Sequence, residues 1–82
     1  MKAVVYLAPA RKALRKHRNM AERIMAKIDD YAKNPAAFAN ATTEFRGRPD
    51  KRLKIGDFRV LFVETDNQII IADIGPRGDI YE

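Results

Sequence analysis

The residue pair Gly56-Asp57 constrains this chain more than any other feature, because it separates two segments in which apolar and charged residues alternate. Residues 51–55 and 58–64 have the period of two that is typical of strands, and the Gly-Asp pair predicts a tight two-residue hairpin turn between them. Such a turn fixes the register of both strands. It predicts the pairs Ile55 with Phe58, Lys54 with Arg59, Leu53 with Val60, and Arg52 with Leu61.

Alternation along this hairpin separates its apolar and charged side chains onto two faces. Lys54 and Arg59 are predicted to lie directly opposite each other, and this costs a few tenths to ~1 kcal/mol unless an anion lies between them. We therefore expect the charged face to bind an anionic ligand. The charged face receives Arg52, Lys54 and Arg59. The other face, predicted to be the core beneath helices, receives Leu53, Ile55, Phe58, Val60 and Phe62.

The rest of the chain predicts a single α+β domain over residues 1–82, with an N-terminal strand, a helical hairpin and then an antiparallel β-meander. Pro9 is expected at the first position of the first helix. Asn19, with Glu22 three residues later, is the expected N-cap of the second. The predicted elements are strand 2–6, helix 9–17, a helix from Asn19 to Asn34-Pro35, and strands 42–46, 51–55, 58–64 and 68–74.

The second hairpin, with its turn at residues 65–67, extends the charged face. Counting through it places Arg59 beside Ile74, so the following loop leaves the sheet next to the charged pair and carries Arg77 and Tyr81. Several cations and one phenol are then predicted in a single concavity, which suits an RNA phosphate and the charge that builds up in phosphoryl transfer. The alternative is that the strand cations only provide solubility and that Tyr81 is a packing residue.

The net charge of +5 is concentrated in two basic segments, residues 10–18 and 46–59. Two such clusters on a small domain predict a polyanionic partner, either nucleic acid or an acidic protein. A solvated basic helix is the alternative for the first cluster. Outside the hairpin's charged face, the relevant cations are Arg11, Lys12, Arg15, Lys16, Arg18, Arg46, Arg48 and Lys51.

Several classes of site are not expected. The chain has no cysteine, a single histidine (His17) and scattered acids, so we expect neither a metal nor a cofactor. Its four glycines fall in separate turns, which argues against a phosphate-cradling loop. The apolar stretch after Met1 breaks at Pro9 and is too short for a signal peptide or a membrane span, so a cytoplasmic protein without membrane contact is expected.

Residues 45–62, FRGRPDKRLKIGDFRVLF, resemble the central segment of toxins of the RelE/ParE superfamily. Residues 71–81, IADIGPRGDIY, are similar to the closing strand of these toxins and to their tail, in which an Arg is followed by a Tyr. The central segment is fairly specific, whereas the helical part is generic. The resemblance covers nearly the whole chain and implies the RelE-like toxin fold.

The resemblance also implies a function. RelE-like toxins enter the ribosomal A site and, without a metal, promote attack of an mRNA 2′-hydroxyl on the adjacent phosphate, leaving a cyclic phosphate. Arg59 and Arg77 would hold the scissile phosphate, Lys54 with Arg52 would lower nearby pKa values and supply an acid, and Tyr81 would be the base or a stacking platform. The implied catalytic residues are thus Arg52, Lys54, Arg59, Arg77 and Tyr81. The remaining cations, Arg11, Lys12, Arg15, Lys16, Arg18, Arg46, Arg48 and Lys51, would contact RNA or the ribosome.

An antitoxin is the second implied partner, in a hetero-oligomer with the toxin. An apolar strip on the charged face suits an amphipathic, acidic antitoxin segment, unless a dimer or the N-terminal strand covers it. Two alternatives to the ribonuclease stay open: a ParE-like inhibitor of DNA gyrase, and a non-catalytic or degenerate basic protein of this fold. The strip consists of Leu61, Val63, Ile70 and Ala72.

Overall fold

The hairpin around Gly56 forms the centre of the fold in the computed structural model, which describes residues 2–78 and 80. Strand β3 (Asp50–Ile55) and strand β4 (Phe58–Glu64) are antiparallel, and their register confirms all four predicted pairs. Gly56 has a φ of +56°, a left-handed conformation that glycine adopts without a Cβ penalty. The sequence therefore determines this hairpin locally.

Three further strands complete a five-stranded sheet in the order β1-β5-β4-β3-β2. Strand β2 (Thr42–Glu44) pairs with β3, and strand β5 (Gln68–Pro76) pairs with β4, so β2 to β5 form the predicted antiparallel meander. Strand β1 (Ala3–Tyr6) lies parallel to the first half of β5. Compared with the predictions, β2 ends two residues earlier and β5 continues two residues further.

A β-bulge in β5 makes one register prediction wrong. Phe62 pairs with Ile71 but Leu61 pairs with Asp73, so Ala72 is an extra residue. Uninterrupted alternation would put Asp73 on the core side together with Ile71, and the extra residue avoids burying its carboxylate there. Arg59 consequently pairs with Gly75, one residue beyond the predicted Ile74.

Two helices follow β1 and form the predicted helical hairpin. Helix α1 (Ala8–Lys16) begins one residue before the predicted start at Pro9, which is its second residue. Helix α2 (Arg18–Lys33) follows after one residue, His17. The expected N-cap at Asn19 is wrong, because this one-residue corner leaves Asn19 inside the first turn of α2. A 3₁₀ helix, Pro35–Ala41, which was not predicted, leads into β2.

The core lies between one face of the sheet and the two helices. Ala10 of α1 and Ile24, Ile28 and Tyr31 of α2 are buried against it. The strands contribute Leu53, Ile55, Phe58, Val60, Phe62, Ile69, Ile71 and Ile74. This arrangement confirms the predicted core face and leaves the opposite face, here called the outer face, without a helix packed on it in the described chain. No helix among the described residues has the length and apolar character needed to cross a membrane.

Candidate nucleic-acid interface

Three cations of β3 and β4 share the outer face. Lys54 and Arg59 are direct cross-strand partners, and Arg52 lies two residues before Lys54 on β3. We call these three residues the outer cationic cluster. Arg59 pairs on its other side with Gly75, which has no side chain, so β5 places no side chain next to Arg59 in that row. The structure thus brings together the strand cations that the sequence predicted to be neighbours.

Arg59 is more enclosed than a cation on an open sheet face would be. The residue is only 6% exposed. One of its terminal nitrogens, Nη1, donates to the carbonyl oxygens of Gly56 at 3.1 Å and of Phe58 at 3.0 Å. Because these carbonyls belong to the hairpin itself, they hold the guanidinium in place, whereas Lys54, the cross-strand partner of Arg59, is exposed.

Arg52 is oriented by an aromatic residue that sequence reasoning missed. The guanidinium carbon of Arg52 lies 5.5 Å from the centroid of the Phe45 ring, and that of Arg48 lies 4.6 Å from it. Both distances are within the range of cation–π attraction. Arg48 also forms an ion pair with Asp50. The alternation of β2 contains a signal for this contact, since Phe45 comes two residues after Thr43, the direct partner of Arg52.

Arg77 begins the segment after β5 at the same end of the hairpin. Its backbone N–H donates to the carbonyl oxygen of Asp57 at 2.6 Å, which ties this segment to the hairpin turn. The residue is exposed. The prediction that the loop cation lies beside the strand pair therefore agrees with the backbone path, whereas Tyr81 lies outside the described residues.

The cations of residues 10–18 lie on α1 and at the start of α2. Arg11 donates from Nη1 to the carbonyl oxygen of Tyr6 at 2.5 Å, so part of its hydrogen-bonding capacity is used within the fold. Lys12 and Lys16 line a cleft between α1 and the end of β5. Arg15 and Arg18 are exposed, as is Arg46 in the loop between β2 and β3.

Lys51, a predicted RNA contact on β3, does not lie on the outer face. Its Nζ lies 3.4 Å from a carboxylate oxygen of Glu64 and 3.6 Å from one of Glu44. Glu64 also accepts a hydrogen bond from Tyr31 at 2.6 Å and one from Lys2 at 2.8 Å. We call Glu64 and its partners Tyr31, Lys2 and Lys51 the Glu64 cluster. It occupies an edge of the helix-covered side, because Glu64 has the same parity as Phe62 on β4.

The electrostatics of the Glu64 cluster are those of a stabilising ion pair. Burial raises the pKa of Glu64, but hydrogen bonds from Lys2 and Tyr31 and the charges of Lys2 and Lys51 outweigh it, so the pKa lies below its ordinary value. The pKa of Tyr31 is raised by burial and by its hydrogen bond to Glu64. Both shifts keep Glu64 ionised and Tyr31 neutral.

The predicted antitoxin strip is present on the outer face with one change. Val63 and Ile70 are direct partners, and both are half-buried, as is Leu61. The N-terminal strand does not cover them; it joins the sheet at the edge of β5, where Val5 pairs with Ile70 and widens the strip. Ala72 is the bulge residue and is unpaired with β4.

Two other features bear on possible chemistry. His17 packs edge-on against Phe58, with ring centroids 5.0 Å apart, as a residue at a helix corner would. Within residues 2–78 and 80, no group of three or more histidines or acids is arranged to hold a metal ion. The charged side chains that β3 and β4 place on the outer face are the cations Arg52, Lys54 and Arg59 and the carboxylate of Asp50, which is ion-paired with Arg48.

Comparison with known proteins shows which family the sequence matches. A family model described as "ParE toxin of type II toxin-antitoxin system, parDE" matches residues 4–81. No curated protein matches the sequence.

Solved structures share the fold. RelE in the archaeal RelE-RelB complex from Pyrococcus horikoshii superposes with a TM-score of 0.76 at 23% identity, over 94% of this chain and 96% of that one. The toxin–antitoxin complex of RelB and RelE from Methanococcus jannaschii gives 0.70 at 18% identity, over 94% of both chains. The DinJ-YafQ complex of E. coli gives 0.68 at 11% identity, over 99% and 98%.

Proposed function

Because this chain belongs to the ParE toxin family of type II toxin–antitoxin systems, within the RelE/ParE superfamily, we propose that this toxin is a ribosome-dependent endoribonuclease that cleaves mRNA and thereby inhibits translation in the cytoplasm. The observation that carries the proposal is the row formed by Lys54 and Arg59 on paired strands, with Arg77 beginning beside the same hairpin turn. Cations that come from two strands and a loop can donate hydrogen bonds to several oxygens of one phosphodiester.

The reaction requires no group beyond the RNA and the protein. The 2′-oxygen of one nucleotide attacks the adjacent phosphorus and loses its proton to a base, while the bond from phosphorus to the 5′-oxygen breaks and that oxygen receives a proton. The products are a 2′,3′-cyclic phosphate and a 5′-hydroxyl. Negative charge grows on the phosphate oxygens in the transition state, so fixed cations stabilise that state more than the ground state.

We propose different tasks for these cations, according to their exposure and hydrogen bonds. Arg59 is enclosed and held by two carbonyls, so it provides a fixed positive potential under the phosphate. Lys54 and Arg77 are exposed and can contact phosphate oxygens directly, and the Lys54 ammonium can also donate the proton to the leaving oxygen. Arg52, oriented by Phe45, extends the positive surface along β3. Tyr81 stays the proposed base.

The test measures mRNA cleavage on programmed ribosomes in a purified translation system. Arg77→Ala and Lys54→Ala should each lower kcat about 10²- to 10³-fold, the usual loss when one transition-state contact is removed. Both residues are exposed, so the thermal unfolding midpoints should stay close to that of the unmodified toxin. Lys27→Ala, which removes an exposed cation from α2, is the matched control and should keep full activity. Full activity in both Arg77→Ala and Lys54→Ala would remove the proposal.

Arg59→Ala tests the same site with an additional measurement. Removal of a residue that is 6% exposed also opens a void under the hairpin, so its stability must be measured alongside its activity. Arg59→Lys keeps the charge but cannot keep the planar geometry of the guanidinium. Partial activity in Arg59→Lys, with none in folded Arg59→Ala, would support a role for the positive charge.

A second function is favoured by one observation, the family description itself, because ParE toxins of this superfamily act on DNA gyrase. In that case the outer cationic cluster would bind an acidic surface or DNA in the gyrase complex. A supercoiling and cleavage assay with purified gyrase distinguishes the two functions. Inhibition of gyrase by a toxin that leaves mRNA intact would replace the ribonuclease proposal.

We also propose that a cognate antitoxin binds the apolar strip of the outer face. Val63, Ile70 and Leu61, with Val5 beside them, form an apolar surface next to the outer cationic cluster. An amphipathic segment with acidic residues on one side matches both parts of this surface. The solved relatives include RelE with RelB and YafQ with DinJ, each an antitoxin–toxin complex.

A further inference from the structure

A cleft of about 290 Å³ lies between α1 and the last part of β5. It exists because β1 pairs with β5 only as far as Tyr6 and Ile71, after which the chain turns into α1 beside the strand edge. Its walls combine cations with apolar groups, and these complement the anionic phosphate and the apolar base face of a nucleotide. The lining residues that carry the argument are Lys12, Lys16, Asp73, Gly75, Pro76 and Ile80.

The cationic wall is provided by α1. Lys12 and Lys16 are four residues apart, so both project from the same side of the helix. Both are exposed, and the described part of the chain gives neither lysine an ion pair or a side-chain hydrogen bond. Residues 10–18 contain no acid that could neutralise them. Two neighbouring ammonium groups without a counter-charge on their own helix are suited to a phosphate.

The cleft is connected to the proposed cleavage site through one residue. Gly75 lines the cleft and is also the direct partner of Arg59, which is the direct partner of Lys54. Lys54, Arg59 and Gly75 therefore form a row perpendicular to the strands, about 10 Å long at the usual strand spacing. Gly75 adds no side chain to this row, so the outer cationic cluster and the cleft lie at neighbouring positions along it.

We propose that the cleft binds the nucleotide next to the scissile one, with its phosphate on Lys12 and Lys16. This inference rests on the proposed ribonuclease function. Pro76 and Ile80 provide apolar surface for the sugar and base. Asp73, whose carboxylate accepts a hydrogen bond from the N–H of Ile74 at 2.8 Å, repels phosphate from the β5 wall and can accept from a ribose hydroxyl or a base amine. These opposed charges orient the nucleotide.

The first arm of the experiment measures cleavage on programmed ribosomes. It compares the wild type, Lys12→Ala/Lys16→Ala, and the control Lys27→Ala/Lys33→Ala, which removes the same charge from exposed positions of α2. Each protein receives mRNAs with one uncharged methylphosphonate linkage at successive positions flanking the cleaved bond. At one position the neutral linkage should lower wild-type kcat/KM about tenfold or more, as expected for a lost charge-assisted contact. The same linkage should cost the Lys12/Lys16 variant nothing further, and the control should behave like the wild type.

An equal penalty from the neutral linkage in all three proteins would overturn the inference, because Lys12 and Lys16 would then not contact that phosphate. An equal loss of cleavage in both double variants would also overturn it, because the lysines would then act only through net charge. The second arm is independent of cleavage and uses a short single-stranded 2′-O-methyl RNA, which binds but cannot react. Loss of the contact with this one phosphate should reduce the slope of log affinity against log salt by about 0.7.

The two arms separate the two hypotheses. If the toxin binds RNA through Lys12 and Lys16 but does not cleave it, the ribonuclease proposal is refuted and RNA binding in the cleft is supported. If cleavage is unaffected in Lys12→Ala/Lys16→Ala, nucleotide binding in the cleft is refuted and the ribonuclease proposal stands. A toxin that neither binds nor cleaves refutes both. If the double variant lost only antitoxin affinity, the cleft would be a protein site and the inference would be wrong.

Discussion

Replacement of Glu64 by Gln tests whether the Glu64 cluster stabilises the fold. The substitution keeps the shape of the side chain and an oxygen that Tyr31 can bond, but it removes the negative charge that Lys2 and Lys51 approach at 2.8 and 3.4 Å. Glu64 is only 11% exposed at its side chain, so water cannot fully replace these contacts. Hydrogen bonds to charged groups contribute about 1.5–3 kcal/mol each. Because both lysines are partly solvated, we expect a total loss of about 2 kcal/mol.

Chemical denaturation gives the free energy of unfolding, and calorimetry should show a fall in the melting temperature of roughly 8–16 °C for a domain of this size. Glu44→Gln is the matched control. Glu44 is 76% exposed and lies 3.6 Å from Lys51, so its replacement should change stability by less than about 0.5 kcal/mol. The outer face is untouched in both variants, and cleavage measured well below the melting temperature should be unchanged.

The pH dependence of the difference supplies the refutation. A carboxyl whose pKa is lowered in the folded state stabilises the fold fully above its unfolded value of 4.5, and this contribution disappears as the pH falls through the folded value. The difference between wild type and Glu64→Gln should therefore be large at about pH 7 and shrink towards about pH 3. A difference below about 0.5 kcal/mol at neutral pH, or one that does not change with pH, would show that the cluster does not stabilise the fold.

Two other predictions concern a buried hydroxyl and the antitoxin. Within the described chain the Tyr6 hydroxyl is buried without a hydrogen-bond partner, so Tyr6→Phe should leave unfolding free energy unchanged or raise it by about 1 kcal/mol. Burial, with a smaller effect of Asp29, raises the pKa of Tyr6 to about 12, so the unfolding free energy of the wild type should fall relative to that of Tyr6→Phe as the pH rises from 10 to 12. A marked loss of stability in Tyr6→Phe at neutral pH would contradict this reasoning. Val63→Asp should weaken binding of an acidic amphipathic antitoxin at least about 30-fold, as measured by calorimetry. The melting temperature of the variant should change by no more than a few degrees. An unchanged affinity would exclude the apolar strip as the antitoxin site.

Sequence reasoning predicts the central hairpin well because its register is set by a local feature. Gly56 can adopt the positive φ that a two-residue turn requires, and alternation on both sides then assigns every side chain to a face. The pairing of Lys54 with Arg59, and hence the outer cationic cluster, follows from the same rule. The part of the candidate site that lies on β3 and β4 was therefore predictable to the residue.

The parts that were missed depend on contacts between distant segments. The bulge at Ala72 resolves a conflict between strand alternation and the burial of Asp73, and it moves the partner of Arg59 from Ile74 to Gly75. Lys51 looks like a member of the basic segment, but its partner Glu64 is thirteen residues away on the next strand. The bulge does not follow from local periodicity, because it interrupts the alternation of β5, whereas alternation along β3 already places Lys51 on the face of Leu53 and away from the outer face.

The parallel pairing of β1 with β5 has a consequence for how the protein is made. Ala3 and Tyr6 pair with Gln68 and Ile71, so β1 has no strand partner until β5 has emerged from the ribosome. The same delay applies to α1, which packs against β5. A nascent chain shorter than about seventy residues thus lacks the strand that joins its N-terminal third to the meander. Formation of the proposed cleavage surface therefore depends on the synthesis of β5 during translation, the process that this toxin is proposed to attack.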